Sequence, residues 1–236
     1  MKVCVLGAGA FGLALASIFN KNGHEVTVWA HSKNDATTLK ITRKSDKLKD
    51  YVIPKKIKIT SNLETATKKS SLIVIAVPAH ALNDVTVKLS KHLRSTSHLL
   101  IATKGIEQGT CDFVTEVVER NVNTNKIAVI SGPSFAVDII SEVPIGLSLG
   151  VTNVRTKNIE TPDILGIEVC GAIKNVMAIA SGMLNGMKVT DSTKALFLTE
   201  ALNDIKELID ALGGNKKTIL SFAGFGDILM TCTSTN

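Results

Sequence analysis

Six residues, Gly7-Ala8-Gly9-Ala10-Phe11-Gly12, constrain the fold of this chain more than any other segment. They follow a short apolar run, Lys2–Leu6, which reads as a strand. They open Ala10–Asn22, where Leu13, Ala16, Ile18 and Phe19 recur at helical spacing until Asn22-Gly23 ends the pattern. A strand, a glycine turn and a helix in this order predict a dinucleotide-binding unit. Gly7 permits the tight turn, Gly9 lets backbone approach a pyrophosphate, and Gly12 lets helix and strand pack closely. The helix start at Ala10 and Phe11 then offers free N–H groups and a partial positive charge to phosphates.

The next strand, Glu25–Ala30, should end with the residue that reads the adenosine ribose. An acid there favours NAD. Here the chain runs Trp29-Ala30-His31-Ser32-Lys33 with no acid before Asp35. His31, Ser32 or Lys33 could instead accept a 2′-phosphate, so the reading leans to NADP or to use of both cofactors. Trp29 reads as core packing.

Further strands are predicted at Ser71–Val77, which stops at Pro78, and at His98–Thr103 and Lys126–Ile130. Between them Leu82, Val85, Leu89 and Leu93 mark one helix, and Phe113, Val114, Val117, Val118 and Val122 another. Strands alternating with helical patterns predict an α/β fold, a Rossmann-type doubly wound parallel sheet. After Asn153 the texture changes. Asn153–Asp163 reads as a polar linker, Ile164–Leu184 and Ser192–Leu212 as helices, and no convincing strand follows. The expected organisation is a dinucleotide-binding domain over 1–153 and a smaller all-α substrate domain over 164–236.

Composition narrows the classes. The 236 residues have 44% hydrophobic content, enough for a substantial core. No apolar run approaches a bilayer span, and the N-terminus does not read as a signal peptide. The four cysteines lie far apart and read as small buried residues in a reducing cytoplasm, without a zinc site. A net charge of +6 would suit nucleic acid, an anionic membrane face or phosphorylated small molecules. The basic residues come in short groups spread along the chain, such as Lys55-Lys56, Lys68-Lys69 and Lys216-Lys217. With 4% aromatics there is no stacking platform, so nucleic acid is a weak reading.

Three segments stand out from plain core. Lys104 ends a strand, where ligands of open α/β sheets bind. Lys174-Asn175 interrupts an apolar helical pattern, and a lysine in such surroundings is costly without a partner. Gly224-Phe225-Gly226-Asp227 forms a glycine-bounded turn running into Thr231.

These segments, with the glycine turn, resemble NAD(P)-dependent glycerol-3-phosphate dehydrogenases of the bacterial type. The resemblance rests on GAGAFGLALA, AVP, ATKGIE, SGPSFA, GIEVCGAIKNVMAIASG and FAGFGDILMTCTS, in the family's order over nearly the whole chain. It implies interconversion of dihydroxyacetone phosphate and sn-glycerol 3-phosphate with NAD(P)H, feeding phospholipid synthesis. It carries the essential lysine to Lys174 and a second to Lys104, with Asp227 orienting Lys174. Asn175 and Thr231 become substrate contacts. Pro78 and Ala136, in two of the matched motifs, join the cofactor contacts Gly7, Gly9, Ala10, Phe11, Gly12, His31 and Lys33. No metal is needed, and the expected compartment is the cytoplasm.

The chain departs from the family in three places. The stretch between Gly150 and Ile164 is short, the sequence ends at Asn236 before the family's Ser-Arg-Asn, and Thr199-Glu200-Ala201 stands for Thr-Arg-Gly near the expected domain core. Leu198, Leu202, Ile205 and Ile209 are therefore expected to lack part of their covering wall, which favours a homodimer or instability. Two other readings are a non-catalytic dinucleotide-binding remnant and a β-hydroxyacid or 6-phosphogluconate-type dehydrogenase. The ATKG, SGPSFA and GFGD segments weigh against the latter.

Overall fold

The computed structural model describes residues 1–124, 126–151, 160–161 and 163–234. They belong to two compact units. The first is Met1–Thr103 with Glu107–Ala128 and Phe135–Ile145; the second is Lys104–Ile106 with Val129–Ser134 and Gly146–Asn236. The linker expected over Asn153–Asp163 falls largely outside the described residues.

The first unit contains β1 (Lys2–Leu6), α1 (Ala10–Lys21), β2 (Glu25–Trp29), α2 (Lys33–Thr42), β3 (Lys58–Thr60), α3 (Leu63–Thr67), β4 (Leu72–Ile75), α4 (Ala79–Ser90), β5 (His98–Ile101) and α5 (Val114–Asn121). The start of β6 (Ile127–Ser131) and α6 (Ala136–Ile140) complete it. Its strands pair in the order β3-β2-β1-β4-β5, all parallel. The order runs outward from β1 and then resumes on its other side at β4. That reversal makes a switch point at the C-terminal ends of β1 and β4.

Burial explains why these segments are strands. Val3–Leu6, Ile73–Ile75 and Leu99–Ile101 are buried without alternation, as strands covered on both faces must be. α1 buries Leu13 to Ala16, and α4 buries Leu82, Val85 and Leu89 as their spacing predicts. α2, β3 and α3 carry no comparable pattern and were not expected. α2 buries only Ala36 and Leu39 and starts because the Ser32 hydroxyl accepts from the Asn34 and Asp35 amides. Likewise Asn62 caps α3 by accepting from the Thr65 N–H at 2.7 Å.

The second unit holds the end of β6, β7 (Ser148–Val151), β8 (Glu160–Thr161), α7 (Ile164–Gly186), α8 (Asp191–Ala211) and α9 (Asp227–Thr233). A 3-10 turn at Lys216–Leu220 and a π-type turn at Phe222–Gly226 lead into α9. Its strand order is β6-β7-β8, with Leu149 opposite Glu160 and Gly150 opposite Thr161 in parallel register. β8 corrects the reading of the polar stretch as linker throughout. Two residues held by ladder hydrogen bonds need no apolar pattern.

Other expectations change here. Ile205 and Ile209 are buried and Leu198 and Leu202 are half-buried, while the exposed apolar residues are Leu196 and Leu208 of α8 and Leu212 just past its end. Glu200 is exposed on α8 rather than near a core. Cys4, Cys170 and Cys232 are buried as expected, but Cys111 is exposed. α7 is long and apolar enough by composition to cross a bilayer, with a mean hydropathy of 1.5 in its most apolar stretch. Small residues and isolated polar groups along it mask that length in the sequence.

Candidate active site

In the first unit the glycine turn has the geometry its residues demand. Gly7 has φ +116°, and a Cβ there would lie 2.3 Å from the Ala76 carbonyl oxygen. A Cβ on Gly12 would meet the Gly7 carbonyl at 2.2 Å. Gly9 is the opposite case, with nothing within 4 Å of a Cβ. It caps α1 without a side-chain hydrogen bond, so the first N–H groups of α1, at Ala10 and Phe11, are free of a side-chain acceptor. Two closed glycines and one open one leave a bare helix start to which a pyrophosphate can be brought close. The residues therefore fit a dinucleotide.

Pro78 caps α4 at the C-terminal end of β4 and is exposed, while Ala136 begins α6, which packs on α1. Trp29 is 5% exposed, and its indole N–H donates to the Ser61 carbonyl at 3.0 Å. His31 stands edge-on to that ring with centroids 5.7 Å apart. His31 and Lys33 are exposed, whereas the Ser32 hydroxyl is occupied in capping α2. Trp29 and His31 also line an open cavity of about 350 Å³ with Ser61 and Asn62.

The second unit assembles a charge cluster from three distant parts of the chain. Asp227, the first residue of α9, is fully buried. Its Oδ2 accepts from Lys104 Nζ at 2.6 Å, and its Oδ1 accepts from Lys174 Nζ at 2.7 Å. Both lysines are largely covered, with side chains 21% and 13% exposed. One carboxylate thus divides its two oxygens between two ammonium groups, leaving a net positive charge. Burial pushes Lys104 down to about 8 against the opposing pull of Asp227, and the charge of Lys174 adds to the downward shift.

The local sequence explains how Asp227 is held. Gly224 fits the turn before α9 because a Cβ there would lie 2.2 Å from the Ile219 carbonyl oxygen. The buried Ser181 hydroxyl donates to the Cys232 carbonyl at 2.8 Å and ties α7 to α9. At the other end of α7, Asp163 accepts from the Gly166 and Asn215 amides, each at 3.0 Å. Lys174 thus sits on a helix fixed at both ends.

The remaining expected residues are placed differently. Thr231 donates its hydroxyl to the Asp227 carbonyl at 2.6 Å, so as placed that proton is engaged and its oxygen is left as an acceptor. Asn175 is exposed on α7. Sequence reasoning did not single out Ser131, whose buried hydroxyl has no hydrogen-bond partner among the described residues. It lies 3.5 Å from where a Gly171 Cβ would be, and the Lys104 stem lies 3.7 Å from the same point. The small residue one turn before Lys174 is the only sequence sign of this crowding.

Comparison with known proteins assigns the family. Residues 2–157 match the NAD-dependent glycerol-3-phosphate dehydrogenase N-terminus, and residues 163–236 match the C-terminus of the same enzyme. The chain belongs to the NAD-dependent glycerol-3-phosphate dehydrogenase family. A glycerol-3-phosphate dehydrogenase [NAD(P)+] of Fusobacterium nucleatum is 33% identical over 99% of this chain and 75% of its own length. One from a Thermoanaerobacter species is 35% identical, covering 99% and 74%. The crystal structure of the Coxiella burnetii glycerol-3-phosphate dehydrogenase superposes with a TM-score of 0.93 at 27% identity, covering 99% of this chain and 76% of that one. The family's NAD(P)-dependent oxidoreductase class agrees with the glycine turn, and its fold agrees with the doubly wound sheet.

Proposed function

We propose that this chain interconverts dihydroxyacetone phosphate and sn-glycerol 3-phosphate with NADPH or NADH in the cytoplasm, feeding phospholipid synthesis. The observation that carries the residue assignment is the buried Asp227 carboxylate shared by Lys104 and Lys174.

Gly7, Gly9, Ala10, Phe11 and Gly12 hold the pyrophosphate, with Pro78 and Ala136 as further cofactor contacts. His31 and Lys33 are free to meet a ribose 2′-phosphate. When bound, the reduced nicotinamide supplies the hydride.

Hydride arrival at a carbonyl carbon builds negative charge on its oxygen. Lys174 stabilises that charge and donates the proton from Nζ. Asp227 fixes the direction of Lys174 Nζ and offsets its charge in a dry site. Lys104 is the second cation, orienting the carbonyl or the phosphate. The cluster's excess positive charge suits a phosphorylated substrate. Asn175 supplies an amide donor to phosphate oxygens; Thr231 would have to release its bond to the Asp227 carbonyl to do the same.

The test is NADPH and NADH absorbance with purified protein, with and without dihydroxyacetone phosphate, beside Lys174→Ala. Substrate-dependent oxidation that the substitution removes supports the assignment. Equal turnover by Lys174→Ala would overturn it.

A further inference from the structure

Residues 40–58 hold eight cations (Lys40, Arg43, Lys44, Lys47, Lys49, Lys55, Lys56, Lys58) and two anions (Asp46, Asp50). The whole chain has 27 basic and 21 acidic residues, so the remainder carries nineteen of each. The net charge of +6 therefore resides in this one stretch, although short lysine groups elsewhere make it look dispersed.

The stretch is a built surface. Leu48, Ile53 and Ile57 are buried and anchor it from beneath. The Ile53 N–H donates to the Arg43 carbonyl at 2.8 Å, and Arg43 Nη1 donates to the Ile57 carbonyl at 2.8 Å. All seven lysines are exposed, and none forms an ion pair among the described residues. Two aliphatic side chains share the exposure, Ile41 at 77% and Val52 at 59%. The stretch ends in β3, the edge strand of the first unit's sheet.

We propose that this face docks on the surface of an anionic phospholipid bilayer. Each lysine near such a surface gains about 1 kcal/mol, and seven unpaired ones attract it collectively. Ile41 and Val52 add apolar groups that can enter the headgroup boundary. Nucleic acid fits less well. The stretch has a single arginine, whose Nη1 is already engaged on the Ile57 carbonyl, and its one aromatic residue, Tyr51, is not exposed, so it offers a base little to stack on. The inference concerns none of the residues of the lysine–aspartate cluster and stands whatever the reaction is.

Cosedimentation with phosphatidylcholine vesicles containing about 30% phosphatidylglycerol, at about 0.1 M salt, tests it. Wild-type protein should pellet with these vesicles, stay in solution with pure phosphatidylcholine, and be released by high salt. Replacing Lys44, Lys47, Lys55 and Lys56 by Gln should lower the partition coefficient by at least about tenfold. Ile41→Ser with Val52→Ser should lower it less and leave a salt-sensitive remainder. Unchanged melting temperature and NADPH oxidation in both variants show that they are folded, and separate this result from the reductase assignment. Absence of wild-type pelleting, or pelleting that the lysine substitutions leave intact, overturns the proposal. So does tighter binding to a short DNA duplex than to the vesicles at the same salt.

Discussion

The glycine turn and the lysine–aspartate cluster solve opposite problems. The turn is made of consecutive residues, acts through backbone, and works because side chains are missing at Gly7, Gly9 and Gly12. The cluster joins side chains 123 and 53 residues apart in sequence, and works because a buried carboxylate meets two buried ammonium groups. Local sterics fix the first, so it survives as a short motif. Long-range packing fixes the second, so any change in α7 or α9 reaches it. The two regions should therefore fail differently under substitution.

The largest effect is expected from Asp227→Asn. It leaves two covered lysines without a counter-charge, which costs about 3–5 kcal/mol in comparable buried pairs, and reductase activity should vanish with it. Chemical denaturation beside the activity assay checks this; a fully stable Asn variant would mean the lysines find other partners.

The turn should split by glycine. Gly12→Ala places a methyl 2.2 Å from the Gly7 carbonyl and should destabilise the first unit by about 1–3 kcal/mol or more. Gly9→Ala meets nothing within 4 Å. Its melting temperature should be unchanged while the NADPH Kd rises about tenfold, or 1.4 kcal/mol. Calorimetry and cofactor titration distinguish the two, and equal melting losses would break the contrast between closed and open glycines.

The cluster alone should report pH. Lys104 is protonated below about 8 and loses its charge above it. The kcat/KM for dihydroxyacetone phosphate should then fall as pH rises through 8, approaching about tenfold per unit at the limit. Lys104→Arg should move that fall to higher pH, because a guanidinium stays charged. The folding sign is opposite. The unfolded lysine titrates near 10.5, binds more protons between 8 and 10.5, and lets stability rise with pH across that window.

The smallest effect belongs to Ser131→Ala. Removing a buried hydroxyl that has no hydrogen-bond partner among the described residues relieves an unsatisfied group and should raise the ligand-free melting temperature by about 2–4 °C per kcal/mol relieved. A lower melting temperature would mean that the hydroxyl has a partner.

Much of the sheet was legible because its central strands are short and nearly all apolar. Lys2–Leu6 coincides with β1, and helix α4 follows from Leu82, Val85 and Leu89. α2, β3 and α3 were not legible. Their residues are largely polar, and caps at Ser32 and Asn62 start helices that no apolar stripe announces. β8 was hidden in polar sequence because a two-residue strand is specified by its neighbour. Of the candidate site, the glycine turn could be read directly. Lys104, Lys174 and Asp227 stood out singly, but only the resemblance grouped them, since spacing says nothing about which carboxylate meets which lysine. Ser131 lay inside the SGPSFA motif without standing out singly, because burial is a property of packing.

The central claim is that the Lys174 ammonium, held by Asp227, delivers the proton to the substrate oxygen. Chemical rescue of Lys174→Ala tests it most directly. The variant should lose about 10²–10⁴ in kcat, and added methylammonium should restore turnover in proportion to its concentration. A variant that still binds NADPH and dihydroxyacetone phosphate yet gains nothing from any small amine would contradict the account.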